Sequence, residues 1–303
     1  MRGPPFVIRL VGPLFRLKVG FRRPKESGLG TDIAGRVEAV SHNATQFKPG
    51  DEVYGVCNAG YAEYATARES RIALKPRNSS FEESAAVPIA GLTALQAVRD
   101  KGQIKPGQKV LINGAGGGVG TFAMQIAKAF GAEVTAVTNT GNLDLVRKLG
   151  ADHVIDYTRE DFAKNEERYD LICDIAASHS ISDYKRIMNP NGICVIVGMR
   201  DKIVRRLLYF MIRGRFLSRG DKKFVFFIAK SNQEDFVTLK ELIEAGKITP
   251  VIDRRYPLSD AAEAMRYLEE GRVRGKIVIT VDHNNERPAW SESYVPSRSE
   301  GSR

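Results

Sequence analysis

Apolar positions change their period along this chain, and the changes divide it. Between about residues 89 and 200, short runs that are apolar throughout alternate with stretches at helical spacing. Lys109-Val-Leu-Ile-Asn113 is the first such run. After it Val119, Phe122, Ala123, Ile126, Ala127 and Phe130 recur at i, i+3, i+4 and i+7, which predicts a helix with one buried face. Gly131 stands where a left-handed residue closes a helix. Glu133–Val137 predicts the next strand, and Leu145, Val146 and Leu149, followed by Gly150, a second helix. His153–Asp156, Leu171–Ile175 and Ile193–Val197 predict further strands. Strands without polar alternation, separated by helices, belong to a parallel sheet covered on both faces. The expected fold class is therefore α/β, with a doubly wound parallel sheet of the Rossmann kind.

Residues 31–75 have a different texture. Gly35–Val40, Glu52–Tyr54 and Tyr61–Thr66 read as short strands between Pro49-Gly50-Asp51 and Asn58-Ala59-Gly60 turns, which predicts a small β-rich domain. Beyond the sheet region, a helix is expected at about 232–245. Strand, helix and strand follow over 250–281, the helix starting at Asp260-Ala-Ala-Glu263. From Asp282 the chain turns polar and rich in Ser, Pro and Arg, which predicts a disordered tail.

Charge modifies this picture locally. The net charge is +10, but residues 1–25 hold seven Lys/Arg and no acid, and residues 199–230 hold ten Lys/Arg against two acids. The rest of the chain is thus slightly acidic. The first stretch has the composition of an organellar transit peptide, or is internal domain sequence. In the second, Ile203, Val204, Leu207, Leu208, Met211 and Ile212 form a helical stripe flanked by Arg205, Arg206, Arg213 and Arg215. Such a segment (203–217) suits an anionic membrane surface, or caps a cleft, or packs at a homodimer interface. Charge alone does not point to nucleic acid, and no nucleic-acid partner is expected. No apolar run is long enough to cross a bilayer. Cys57, Cys173 and Cys194 are odd in number and widely spaced, so they read as buried thiols of a reducing, cytoplasmic setting.

Candidate chemistry centres on Asn113-Gly-Ala-Gly-Gly-Gly-Val-Gly120. A pyrophosphate needs backbone N–H donors, a helix N-terminus and no Cβ atoms in its path. The fingerprint is Ala115-x-Gly117-x-x-Gly120, with Gly118 and Val119 inside it. Gly117 would allow approach of the phosphates and Gly120 would let the helix pack on the strand. A site selective for NAD would put a carboxylate at the end of the second strand. This chain has Thr138-Asn139-Thr-Gly-Asn142 there, so the expected cofactor is NADPH. Only four histidines are present, His42, His153, His179 and His283, without ligand spacing, so no metal is expected. Nothing in the sequence spacing suggests a hydrolytic Ser-His-Asp set.

Several segments now fit one family in order: Gly30-Thr-Asp-Ile-Ala-Gly35, Pro49-Gly-Asp-Glu-Val53, Ala62-Glu-Tyr64, Pro88-Ile-Ala-Gly-Leu-Thr-Ala94, the glycine loop, Gly150-Ala-Asp-His-Val-Ile-Asp-Tyr157 and Gly275-Lys-Ile-Val-Ile279. The chain resembles a zinc-independent medium-chain dehydrogenase/reductase of the quinone oxidoreductase type over about residues 1–281. Zinc-dependent relatives carry Gly-His-Glu where this chain has Gly30-Thr31-Asp32, so the ligand position is lost. Asp32 reads as a turn or cap residue.

The resemblance implies a partial GroES-like catalytic domain (1–87), a Rossmann domain (88–247), a return to the catalytic domain (248–281) and the tail (282–303). It implies that Met1-Arg-Gly-Pro-Pro corresponds to an internal segment, so that part of the catalytic domain is missing. By the same resemblance Thr93 and Gly198 lie near the nicotinamide, Tyr157 lies near the adenosine phosphate, and Tyr54 reaches the substrate side or is a packed tyrosine. The implied activity is NADPH-dependent reduction of a quinone or α,β-unsaturated carbonyl. The alternative is a truncated, inactive NADPH-binding or interaction protein.

Overall fold

The computed structural model describes residues 29–176, 178–197 and 221–281. The basic segment 203–217, Gly198, the first 28 residues and the tail from Asp282 lie outside them. Six parallel strands form the central sheet in the order β6-β5-β4-β7-β8-β9. They are β4 (Lys109–Asn113), β5 (Glu133–Thr138), β6 (His153–Asp156), β7 (Tyr169–Asp174), β8 (Met188–Ile196) and β9 (Lys223–Phe226). Order reverses between β4 and β7, so a crevice opens at the carboxyl ends of those two strands, where ligands bind in such folds.

Two-sided burial explains the unbroken apolar runs. In β4, Val110 and Ile112 enter one core cluster while Leu111, between them, enters the other. The first core is closed by α3 (Gly118–Ala129), whose Phe122, Ala123, Ile126 and Ala127 are fully buried as the helical spacing requires. The second is closed by α5 (Ile181–Arg186) and the turn at Phe162–Lys164. Gly131 and Gly150 adopt φ +80° and +97° directly after α3 and α4 (Leu143–Lys148). Their N–H groups, and those of Ala132 and Ala151, turn back onto helix carbonyls, which is why glycine is needed there.

The β-rich part is a three-stranded antiparallel sheet, β1 (Asp32–Arg36), β2 (Glu52–Val56) and β3 (Ile72–Leu74). Here the strand bounds differ from the sequence expectation. Residues 35–40 contribute only their first two positions to β1, and Tyr61–Thr66 forms no strand. Tyr61 and Tyr64 are partly exposed, so that segment has no apolar face to bury. β9 is the opposite case, a strand inside the basic stretch that its charges conceal. Two helices, α1 (Phe81–Ala85) and α2 (Pro88–Leu95), connect this sheet to the Rossmann domain. After α6 (Gln233–Glu244) the chain returns as β10 (Ile252–Pro257), α7 (Ala261–Glu269) and β11 (Lys276–Thr280), with β10 and β11 paired in parallel. Asp260 occupies the N-cap position of α7 where the sequence places the helix start, although its side chain makes no cap bond. All three cysteines are buried thiols.

α6 is anchored through Asp235, which is 4% exposed. Its carboxylate accepts from Gln96 Nε2 (2.7 Å), Arg99 Nη2 (2.5 Å) and Asn232 Nδ2 (2.7 Å). Burial opposes the charge, yet these donors together hold the carboxyl below its usual range. A folded carboxyl titrating below the unfolded one contributes stability at neutral pH that is lost as pH falls through the acid range. In melting curves recorded from pH 7 towards pH 3, Asp235→Asn should therefore start less stable and decline less steeply than wild type. Parallel declines would refute this assignment.

A nucleotide crevice and the cations beside it

β4 ends at Asn113 and the chain reverses through Gly114–Gly117 into α3. Gly117 is the N-cap residue and has no side chain to offer, and the first turn of α3 carries no acid. The leading N–H groups of a 12-residue helix therefore face the crevice with their dipole uncompensated. Packing behind the loop is tight. A Cβ on Gly120 would stand 2.1 Å from the Gly114 carbonyl oxygen and 2.7 Å from Ala115 Cα. Ala115 itself is fully buried. On the ligand side there is room: a Cβ on Gly117 would meet only the Gly114 oxygen, at 3.7 Å.

The end of β5 converges on the same loop. Thr138 (3% exposed) and Asn142 (7%) lie against Gly116, where a Cβ would be 2.7 Å from Thr138 Oγ1 and 2.4 Å from Asn142 Nδ2. The side-chain oxygens of Asn139 and Asn142 are buried and have no hydrogen-bond partner in the protein. Buried orphan acceptors are expensive unless a ligand or water completes them. The uncapped helix, the open face of Gly117 and these orphans fit a dinucleotide with its ribose at the end of β5. Tyr157 follows β6 and is 55% exposed, with its N–H donating to the Thr138 carbonyl, so its ring flanks the same edge. Thr93 is half-buried on α2.

Tyr54 takes a different place from the substrate-side role the resemblance suggested. It is fully buried on β2, its hydroxyl donates to the Phe236 carbonyl at 2.5 Å, and its ring meets Phe236 edge-on at 5.7 Å. Burial raises its hydroxyl pKa far above the usual phenol range. It joins β2 to α6, and no face of it is left for a substrate.

Three features of this region were invisible to sequence spacing. The first is a pair of cations from the far end of the chain. The Gly275 N–H donates to the Gly116 carbonyl (3.0 Å), and Gly275 bridges to Gly117. This fixes Arg274 and Lys276 on either side of the glycine loop. Arg274 Nη2 lies 3.5 Å from where a Cβ on Gly141 would stand, and Asn139 Oδ1 is equally far from that point. The Lys276 stem passes 2.9 Å from the Cβ position of Gly118, the first residue of α3. A Gly-Lys pair before an apolar strand is visible in sequence, but its destination is not.

The second feature is Asp156, a carboxylate close to the end of β5 although none exists at 138–142. Its oxygens are taken by Thr140 Oγ1 (2.5 Å) and by the Thr158 N–H and hydroxyl, and the Thr140 bond chiefly holds its carboxyl low. The third is a Ser-His-Asp chain: Ser178 Oγ to His179 Nδ1 (2.8 Å), and His179 Nε2 to Asp161 (2.9 Å). Asn113 donates to Ser178, and the His179 ring lies 4.3 Å from that of Phe162, so the chain ties the loop after β7 to β4.

Comparison with known proteins agrees with this architecture. Residues 14–97 match the alcohol dehydrogenase GroES-like domain, and residues 149–279 match the zinc-binding dehydrogenase domain. The chain is 34% identical over 283 residues to 2-methylene-furan-3-one reductase of Solanum lycopersicum, covering 88% of this chain and 67% of that one. This chain belongs to the quinone oxidoreductase family of medium-chain dehydrogenases/reductases. A mitochondrial NAD(P)H oxidoreductase of Mus musculus is 32% identical over 84% of this chain and 70% of its own. The solved quinone oxidoreductase of Coxiella burnetii superposes with a TM-score of 0.77 at 30% identity, covering 88% of this chain and 82% of its own. The family member described here is thus an oxidoreductase with a nicotinamide-nucleotide domain. Among its described residues no group of three or more His, Cys, Asp or Glu is arranged to hold a metal ion. No helix among them is long and apolar enough to cross a membrane.

Proposed function

We propose that this protein is an NADPH-dependent oxidoreductase that passes hydride to a quinone or an α,β-unsaturated carbonyl. The observation that carries the reading is the uncapped N-terminus of α3 at Gly117 with Lys276 and Arg274 fixed beside it. The α3 N-terminus and Lys276 suit the pyrophosphate, with Gly117, Gly118, Val119 and Gly120 as its floor. Thr138, Asn139, Asn142 and Tyr157 suit the adenosine ribose, and Arg274 suits its 2′-phosphate. When bound, NADPH supplies the hydride. The protein holds donor and acceptor carbons together and keeps water away. Thr93 and Gly198 belong to the nicotinamide end by the family pattern. The names of the relatives, a furanone reductase and a quinone oxidoreductase, support an electron-poor alkene or quinone as acceptor.

Purified protein given NADPH and a panel of naphthoquinones, enals and enones should lose reduced-nicotinamide absorbance with at least one acceptor. Tight NADPH binding without turnover across the panel would support the alternative, a binding protein that keeps the nucleotide site. A second expectation concerns Arg274. A charge-assisted contact contributes about 1.5–3 kcal/mol, roughly ten- to a hundredfold in affinity. Arg274→Gln should weaken NADPH by about that factor and leave NADH unchanged in direct titrations. Equal losses for both nucleotides would remove Arg274 from the 2′-phosphate.

A further inference from the structure

Asp32 begins β1 in the catalytic domain, yet its carboxylate reaches into the nucleotide crevice. Oδ2 accepts from Lys276 Nζ at 3.0 Å, with the two side chains only 17% and 22% exposed. Oδ1 accepts from the Ile89 N–H at 3.2 Å, close to the start of α2, and from the Thr31 hydroxyl at 3.3 Å. One carboxylate therefore joins β1, the amino end of α2 and β11. Its partner is the lysine whose stem lies on the first residue of α3. Half-buried charges are weakly screened by salt, so this pair is worth more than one at the open surface.

We propose that Asp32 is a latch that sets cofactor affinity by competing with the nucleotide pyrophosphate for Lys276. Without nucleotide, Asp32 holds the ammonium at the domain boundary. An incoming pyrophosphate at the α3 N-terminus takes the ammonium over, so part of the binding free energy is spent separating Lys276 from Asp32. The released carboxylate keeps the Ile89 N–H and the Thr31 hydroxyl as donors, so it is not stranded. This inference rests on the proposed nucleotide site and adds to it the residue that tunes its affinity.

Asp32→Asn tests the latch, because an amide oxygen still accepts from Ile89 while the charge is gone. Calorimetric titration of D32N should show NADPH and ADP binding about five- to tenfold more tightly than wild type. Binding of 2′-AMP, which has no pyrophosphate, should not change. In a Lys276→Gln background the same substitution should have no effect on NADPH, giving a coupling of about fivefold or more in the double-mutant cycle. Should D32N fail to fold, D32S removes the carboxylate by truncation and reads the same cycle. Binding by wild type with D32N equal or weaker, or a gain that persists in K276Q, overturns the latch alone. No nucleotide binding by wild type or D32N overturns the latch and the proposed function together.

Discussion

Gly117→Ala should leave the fold intact and weaken dinucleotide binding, while Gly120→Ala should damage the fold itself. The two glycines are three residues apart, one the N-cap of α3 and the other in its first turn, but a methyl group meets different things at each. At Gly117 the backbone is extended (φ −88°, ψ 174°), which alanine adopts freely, and the nearest atom to the new Cβ is 3.7 Å away. Restricting the unfolded chain makes such a change neutral or stabilising by up to about 1 kcal/mol. The methyl would instead stand where a pyrophosphate must approach the α3 N–H groups. Titration should show NADPH affinity falling at least about tenfold, a loss of roughly 1.4 kcal/mol or more. At Gly120 the methyl runs into the Gly114–Ala115 backbone, at 2.1 and 2.7 Å. Overpacking of this kind costs about 1–3 kcal/mol, and in a chain of this size each kcal/mol lowers the melting temperature by roughly 2–4 °C. Thermal melts and titrations of both variants decide the matter. A Gly117→Ala protein that binds NADPH as wild type does would mean that nothing approaches that face of the loop.

Tyr54 carries the second large expectation. As a proton donor to substrate, its replacement by Phe would cost about 10²–10⁴ in turnover. Its hydroxyl instead ends on the Phe236 carbonyl inside the core. Tyr54→Phe should therefore keep turnover per folded molecule within about twofold and lower stability by about 1 kcal/mol, the net value of one hydrogen bond. Tyr54→Ala, which empties a fully buried ring site between β2 and α6, should cost about 3–5 kcal/mol. Denaturant titration and steady-state rates on the same samples separate the roles. A hundredfold loss of turnover in a stable Tyr54→Phe protein would return the residue to the catalytic side.

The latch, the Arg274 contact and the glycine loop are separable in these experiments, because their expected signatures differ. Changes at the loop or at Lys276 should alter binding of pyrophosphate-bearing ligands, Arg274→Gln should weaken only those with a 2′-phosphate, and Asp32→Asn should tighten binding only while Lys276 is present. A loss confined to 2′-phosphate ligands points to Arg274, and a gain that vanishes in K276Q points to Asp32.

Local pattern alone determined most of the Rossmann half of this protein. Burial on both faces of β4 demands an unbroken apolar run, Val110–Ile112, and the closing turns of α3 and α4 demand residues that tolerate positive φ, so both features are written into neighbouring positions. Part of the nucleotide loop is legible for the same reason, since Gly114 takes φ +91° and Gly120 packs on Gly114 and Ala115, whereas Gly116 is required by Thr138 and Asn142 from the next strand and turn. What only the tertiary structure decided are meetings between distant parts of the chain. Nothing near Thr138–Asn142 announces Arg274, because the return of β11 to the glycine loop is set by packing and by the Gly275–Gly116 bond. The burial of Tyr54 depends on α6, whose Phe236 is 182 residues away. Asp32 and Lys276 are 244 positions apart and are joined only because two domains close on one crevice. A strand or helix reports itself through periodicity, but a site assembled across domains has no period, and its charges pair only after the chain has folded.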